Sequence, residues 1–499
     1  MLPKPQANLR PNTAEFEMTP LVAASGFREY DARWLFPAHV NLMGIQALGQ
    51  GIATQMRQLG LRPAIVVGHD YRSYSQSIKY ALITGLMASG CEVSDIGLAL
   101  SPMAYFAQFA LDVHAVAMVT ASHNENGWTG VKIGMQRPLT HGPEQMAQLK
   151  DIVLSGKFLE GERGSYKFIP DLRAKYLADM SKNFRLKNNL KVVVACGNGT
   201  AGLFAPDALG AIGADVVPLN CDLDYNFPNH NPNPEDMKML HALRDAVLTA
   251  KADVGLAFDG DGDRCGVVDN EGEEIFADKI GLLLARDFSA QVPNSTFVVD
   301  VKSTGLYQTD EILKANGATV DYWKTGHSHM KRRVQELNAL AGFEKSGHYF
   351  FNPPFGHGYD DGLVSALAVC RLLDHNPEKS LASLRRALPK TWGSPTMSPH
   401  CDDEKKYGVV DAVVKHFEAA QAKGEKFAGQ PIRDLVTVNG VRVTVEDGTW
   451  GLVRASSNKP ELVVVVESPA SEARMREMFK AVDSVLRTHP EVGAYNQTI

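Results

Sequence analysis

The 499-residue chain lacks paired cysteines, long apolar runs and any strong excess of charge. Its six cysteines (Cys91, Cys196, Cys221, Cys265, Cys370 and Cys401) are scattered with no C-x-x-C pair, a pattern of reduced thiols rather than a disulfide framework. No hydrophobic stretch approaches the length that spans a bilayer. The segment from Met1 to Pro20 is broken by prolines and charges, so no signal peptide is read there. A net charge of −6 gives no general attraction to nucleic acid or anionic membrane, and an anionic substrate would need a local basic cluster. No G-x-S-x-G elbow occurs, which argues against an α/β-hydrolase. The expectation is a soluble, cytoplasmic protein with neither nucleic acid nor membrane as partner. Its length argues for several domains.

Three segments of the chain share one plan. Each opens with a β-branched strand: Ala64–Gly68, Val192–Gly197 and Phe297–Val301. A helix-like stretch follows, ending near Gly90, Gly213 and Gly317, and then a second strand at 91–93, 214–217 and 318–321. Later in each unit a further strand opens into a polar loop. These loops are Thr120-Ala121-Ser122-His123-Asn124, Asp259-Gly260-Asp261-Gly262-Asp263-Arg264 and Glu344-Lys345-Ser346-Gly347-His348. Strand–helix–strand units pack as sheets covered by helices, with functional loops at strand ends. The reading is three related α/β domains with mixed sheets (1–167, 168–272 and 273–390) around a central cleft. A C-terminal α+β domain (391–499) completes the chain. In that last domain Asn439-Gly440 between Leu435–Val438 and Val441–Val445 predicts a two-residue hairpin.

The chemistry is carried by the loops. In an extended backbone, side chains at i, i+2 and i+4 point the same way, so Asp259, Asp261 and Asp263 are expected to converge on one hard cation. An EF-hand is excluded, because its sixth position is Arg264 rather than glycine and its twelfth is Asn270 rather than glutamate. Ser122 beside His123 offers a hydroxyl to carry phosphate. Arg454, Ser456, Ser457, Asn458 and Lys459 form a cluster suited to a phosphate. Gly197-Asn198-Gly199-Thr200-Ala201-Gly202 fits the dinucleotide fingerprint, with Asp222 beyond it. A nicotinamide-dependent dehydrogenase is therefore one alternative. A phosphatase or phosphotransferase using Ser122 is another, and a non-catalytic binding protein a third.

Taken together, the motifs resemble those of the α-D-phosphohexomutases, most closely the bacterial phosphomannomutase/phosphoglucomutase branch, along nearly the whole chain. The matching segments are Arg28 to Arg33, Thr120 to Asn124, Asp259 to Arg264, Lys324 to Ser328, Glu344 to His348 and Arg454 to Pro460. Lys345 stands where the family often has methionine or glutamine, and Ser457-Asn458 where Asn-Thr is usual, so mannose and glucose both stay open. The resemblance implies an isomerase-class phosphoprotein that moves phosphate between O1 and O6 of a hexose. The route is a phosphoserine at Ser122 and a 1,6-bisphosphate, which also serves as activator. It implies Mg²⁺ on Asp259, Asp261, Asp263 and the Ser122 oxygen. It implies cationic help from Lys132 and Arg264, and an orienting role for His123. His327, His348 and Arg33 are the candidates to assist proton transfer from the attacking hydroxyl or to lower its pKa. Glu344 and Ser346 are expected to bind sugar hydroxyls, and Arg454, Ser456, Ser457 and Asn458 the distal phosphate. Tyr30 and Lys302 are further substrate-binding candidates. The partners implied are small hexose phosphates, and the protein is expected as a monomer or homodimer.

Overall fold

The β-branched runs that open the three repeats become central strands in the computed structural model, which describes residues 4–162, 164–457 and 459–499. Such residues suit a pleated backbone, and strands buried on both faces need no polar alternation. Ala64–His69, Lys191–Ala195 and Thr296–Asp300 each lie between two parallel neighbours. On one side these are Glu92–Leu98, Asp215–Leu219 and Thr319–Trp323. On the other they are Ala115–Val119, Val254–Phe258 and Ala341–Phe343. The second set feeds the three polar loops, so all three loops leave equivalent strands. Antiparallel strands Trp128–Gly134 and Cys265–Asp269 extend the first two sheets and make them mixed.

By packing, the chain forms two units: Met1–Ala277 with Ser346–Ala382, and Asp278–Lys345 with Ser383–Ile499. The chain passes from one to the other within the Glu344–His348 loop. In the first unit, helices Leu42–Gln58 and Ser75–Ala88 cross closely over the sheet. A Cβ on Gly85 would lie 2.0 Å from the Gln46 carbonyl oxygen, so only glycine permits the approach. Helix Gly362–Asp374, buried along its whole length, begins at Asp361. The Asp361 carboxylate caps it by accepting the N–H groups of Leu363 and Val364, and it also accepts the Tyr176 hydroxyl at 2.7 Å.

The second unit holds the third repeat's parallel strands and an antiparallel sheet. That sheet runs Trp392–Gly393, Leu462–Ser468, Trp450–Ala455, Val441–Val445, Gln430–Val436 and Lys426–Phe427 in order. Alternation decides its two faces. Val441, Val443, Val445, Val464 and Val466 pack with residues of helices Lys406–Ala422 and Glu472–Leu486, whereas Leu452, Val463 and Val465 pack with Val301 and Trp450. On that second face the Arg442 guanidinium stacks on Trp450, 3.7 Å from the ring centroid. It donates to the carbonyls of Val301 and Ser303 at 3.0 and 2.6 Å.

The tight hairpin predicted at Asn439-Gly440 does not form. Val436 pairs with Arg442, the strands are joined by the four residues 437–440, and only Gly440 of the two takes a positive φ. Asn439 is engaged elsewhere: its Oδ1 accepts from the Thr325 N–H at 3.3 Å and from Arg454 Nε at 2.8 Å. No helix among the described residues is long and apolar enough to cross a membrane.

Burial pushes the Asp361 carboxyl up to about 7. The folded chain therefore keeps a proton that an unfolded aspartate releases near pH 3.9. This contribution is complete below about pH 4 and is lost as pH rises through about 7. Asp361→Asn mimics the protonated form and keeps the cap. Urea unfolding of this variant should show a flatter decline in stability from about pH 4 to 7 than the parent; parallel declines would refute the assignment.

Candidate active site

Ser122 follows the buried strand Ala115–Val119 and is itself 1% exposed, with a φ of 50°. A non-glycine residue in the left-handed region is uncommon and needs its surroundings to hold it. Here Thr120 Oγ1 accepts the Ser122 N–H at 2.8 Å, and Arg72 Nη2 donates to the Ser122 carbonyl at 2.7 Å. Asp70 anchors both supports, accepting Thr120 Oγ1 at 2.8 Å and Arg72 Nε at 3.2 Å. Arg33 Nη1 braces the same loop through the Ala121 carbonyl and Asn124 Oδ1, each at 2.8 Å, while Asp31 accepts its other side.

So held, Ser122 Oγ donates to Asp259 Oδ2 at 2.9 Å and lies 3.3 Å from His123 Nδ1. Burial, with Arg264 and Arg33 nearby, holds His123 well below the ordinary histidine range, so its imidazole is neutral. Asn231 Nδ2 donates to the His123 carbonyl.

The three aspartates converge, though not by extended alternation. Residues 260–262 turn, with Gly262 at a φ of 75°, and one oxygen of each carboxylate lies within 4.8 Å of the others. Gly260 permits the approach to the serine loop, since a Cβ there would sit 2.5 Å from the Ser122 carbonyl oxygen. All three acids are fully buried. Lys132, from strand Trp128–Gly134, places Nζ against Asp261 Oδ2 at 2.7 Å and against Asp263 Oδ2.

Burial opposes the charge on Lys132, but Asp261 and Asp263 outweigh it and hold the ammonium well above its usual range. Burial and the other two carboxylates push Asp259 well above the ordinary carboxyl value. Asp261 and Asp263 end below it, because Lys132 overcomes their desolvation. Among the described residues no hydrogen bond reaches the buried Asp261 Oδ1 or Asp263 Oδ1, the latter having only the His348 ring nitrogen at 3.4 Å. Two such oxygens beside Asp259 suit a hard divalent cation, so this cluster can hold a metal.

Arg264 lies beside the same carboxylates, with Nε 3.9 Å from Asp259 Oδ2 and Nη1 paired with Glu235 at 3.2 Å. His348 joins from the loop after Gly347. Its Nε2 is 3.4 Å from Asp263 Oδ1, 3.4 Å from Arg264 Nε and 3.9 Å from Asp360 Oδ2. Its Nδ1 faces Ser346 Oγ at 3.1 Å. The first unit thus brings together Arg33, Ser122, His123, Lys132, the three aspartates, Arg264, Ser346 and His348. Tyr30 lies in that unit as a buried side chain.

The other expected residues lie in the second unit. Asp300 organises them: it accepts Ser303 Oγ, Thr325 Oγ1 and the Lys345 N–H, and lies 3.8 Å from Lys302 Nζ. Glu344 is buried and accepts the Gly326 N–H at 2.5 Å, while buried His327 opens helix His327–Glu336. Arg454 Nη2 donates to Ser457 Oγ at 3.3 Å, with Ser456 buried beside them. Asn439 bridges the Thr325 and Arg454 segments. Asn458 lies outside the described residues.

Asp70, Arg72 and Asn231 escaped the sequence reading. The first two sit just past the C-terminal end of the strand Ala64–His69, a strand end at which α/β sheets carry functional loops, and that position was the available signal. The dinucleotide fingerprint finds no support. The N–H groups of Asn198, Gly199, Thr200 and Gly202 donate to the carbonyls of Asn220, Cys196, Gly260 and Gly199, which leaves them engaged within the protein rather than turned to a pyrophosphate.

Family models described as phosphoglucomutase/phosphomannomutase alpha/beta/alpha domains I, II and III match residues 24–160, 174–272 and 276–392. The corresponding C-terminal domain matches 400–485. A phosphomannomutase/phosphoglucomutase from Pseudomonas putida is 34% identical over 93% of this chain and 96% of its own. A phosphoglucomutase from Neisseria meningitidis serogroup A is 31% identical over 92% and 97%. A crystal structure of a phosphoglucomutase/phosphomannomutase family protein from Burkholderia thailandensis superposes with a TM-score of 0.83 at 29% identity, covering 94% of this chain and 98% of that one.

Divalent metal should stabilise the fold by about 2.7 kcal/mol at a hundredfold excess over its dissociation constant. A thermal melt with Mg²⁺ after chelator treatment should show that gain, and Asp261→Asn should lose most of it. Equal responses in the two proteins would contradict the ligand assignment. Gly260→Ala should part the serine and aspartate loops and cut turnover by about a hundredfold in steady-state assays, while far-UV circular dichroism stays unchanged.

Proposed function

The chain belongs to the phosphoglucomutase/phosphomannomutase family and is a hexose-phosphate mutase of the isomerase class; on that premise we propose that Ser122 carries the transferred phosphoryl group between O1 and O6 of mannose or glucose phosphate. The observation that carries this reading is the contact of Ser122 Oγ with Asp259 at 2.9 Å, both side chains buried, with Arg264 beside Asp259 and Lys132 on the neighbouring aspartates.

Resting as a phosphoserine, Ser122 would give its phosphate to the free hydroxyl of a bound hexose phosphate, forming a 1,6-bisphosphate. The sugar then reorients, and its other phosphate returns to Ser122. Hexose 1,6-bisphosphate from outside would serve as activator by phosphorylating an idle serine. Lys132 and Arg264 offset charge that develops on the phosphoryl oxygens. His123, neutral by burial, orients the seryl oxygen through Nδ1. Arg33 keeps the serine loop in register, and with His327 and His348 forms the set of groups that assist proton loss from the attacking hydroxyl or lower its pKa. Asp259, Asp261 and Asp263 would hold Mg²⁺, with the Ser122 oxygen as a further ligand, and the ion would supply charge neutralisation at the transferred group.

In the sugar loop, Glu344 and Ser346 offer an acceptor and a hydroxyl for adjacent sugar hydroxyls. Arg454, Ser456, Ser457 and Asn458 bind the phosphate that is not being transferred, and Lys302 and Tyr30 contribute to substrate binding. A phosphate-binding cluster of this kind holds either end of the sugar, since a phosphate looks the same on O1 and O6.

Purified protein with Mg²⁺ and a trace of glucose 1,6-bisphosphate should convert mannose 1-phosphate and glucose 1-phosphate to their 6-phosphates. The ratio of kcat/KM values then assigns the preferred sugar. Ser122→Ala should lower both rates by at least about a thousandfold. Release of free phosphate as the main product would point instead to a phosphatase, and full activity of the alanine variant would remove Ser122 from the reaction.

A further inference from the structure

The glycine loop 197–202 lies beside a second chemical feature. Cys196 ends the strand Lys191–Ala195, and Cys221 lies two residues past the neighbouring parallel strand Asp215–Leu219. Ala195 pairs with Leu219, and the Cys196 N–H donates to the Leu219 carbonyl at 3.2 Å. The two cysteines thus stand at the ends of adjacent parallel strands. Their sulfur atoms lie 3.7 Å apart. Cys196 is fully buried, whereas Cys221 is partly open to solvent.

We propose that Cys196 and Cys221 form a reversible disulfide on exposure to peroxide, and that this bond controls the active site through the loop 197–202. The neighbouring Cys196 thiol holds Cys221 below the ordinary thiol range, while burial carries Cys196 well above it. The more acidic and more accessible sulfur is therefore the one that meets the oxidant. The Cys221 thiolate attacks a peroxide oxygen and the O–O bond breaks, giving Cys221 sulfenic acid and an alcohol or water. The Cys196 sulfur then attacks the sulfenic sulfur, its proton leaves with the departing hydroxyl as water, and the S–S bond closes. Two thiols and one peroxide yield one disulfide, water, and the reduced peroxide.

The bond has a route to the site within the same unit. Closing the sulfurs from 3.7 Å to about 2 Å draws the ends of both strands together. The 197–202 loop is wedged between them, with Gly202 so close to Cys221 that a Cβ would lie 2.0 Å from the Cys221 carbonyl oxygen. At its middle, Thr200 donates its N–H to the Gly260 carbonyl at 3.3 Å, and Thr200 Oγ1 accepts the Tyr71 N–H at 2.9 Å. Gly260 is the residue on which Ser122 closely rests, and Tyr71 adjoins Arg72, which holds the Ser122 carbonyl. Movement of the loop thus reaches the aspartate turn and the serine loop together.

The bond formation stands independently of the proposed mutase site, while its effect on turnover rests on that reading. The reduced full-length protein is treated with hydrogen peroxide, alkylated and mapped by mass spectrometry. The expected product is a cross-linked peptide pair containing Cys196 and Cys221, reversed by dithiothreitol. Turnover should fall about tenfold or more and recover on reduction, with Cys221→Ser keeping its activity through the same treatment. Cys196→Ala should stop at a Cys221 sulfenic acid that dimedone traps. Should Ser122 prove not to carry the phosphoryl group, the midpoint of the Mg²⁺-dependent thermal shift serves as the second readout and should move on oxidation. Absence of the Cys196–Cys221 peptide overturns the proposal. Equal inactivation of parent and Cys221→Ser, or a disulfide that alters neither turnover nor metal response, overturns the control it ascribes to the loop.

Discussion

Three buried carboxylates within 4.8 Å of one another are the constraint around which the first unit is built. At an effective dielectric of about 20, each ionised pair at that separation costs about 3 kcal/mol or more. The protein answers with Lys132 on Asp261 and Asp263, Arg264 beside Asp259, and a shift in Asp259 toward its protonated form. A cation of higher charge answers the same need more completely. The loop is thus held together by groups that also match the charge of a phosphoryl group, and its stability and its chemistry have one electrostatic cause.

That arrangement depends on close backbone approach. Gly260 lets the aspartate turn rest on the Ser122 carbonyl, and Gly262 supplies the positive φ that gathers the carboxylates. On the other side, Asp70 and Arg72 force Ser122 into a conformation it would not choose alone. The strained serine is secured by buried charge-assisted hydrogen bonds, which are stronger than neutral ones and keep their geometry away from water. The 197–202 loop braces the aspartate turn from a third direction, through Thr200. Glycines that read as a cofactor fingerprint serve here as spacers between packed backbones.

The second unit shows a different economy. Arg442, which alternation places opposite the valines of its own strand, turns its guanidinium onto Trp450 and the carbonyls of Val301 and Ser303. Glu467 accepts from Thr304, Gly305 and Trp450. Charged groups thus join the antiparallel sheet to the third repeat alongside the apolar packing of Val301 with Leu452, Val463 and Val465. Asn439 does the same for the Thr325 and Arg454 segments, at the expense of the two-residue turn its sequence favours.

Much was legible along the chain because it is local. The three strand–helix–strand repeats follow from β-branched runs and glycine-ended helices, and the loaded loops stand at equivalent strand ends in all three sheets. Ser122, His123, Lys132, Arg264 and the three aspartates could be named from residue type, order and family likeness. The partnerships among them could not: Lys132 meets Asp261 across 129 residues and Ser122 meets Asp259 across 137, and no periodicity reports contacts at such a distance. Asp70 and Arg72 were missed for that reason, as was the nearness of Cys196 to Cys221. The Asn439-Gly440 turn failed in the opposite sense, since a strong local preference yielded to two tertiary hydrogen bonds. Residue order along the chain is enough to set which segments become strands and which chemical groups stand at their ends, because burial and backbone preference act over a few residues. Only the tertiary structure decided which charges neutralise one another and which thiols touch, because those depend on strands brought side by side by packing.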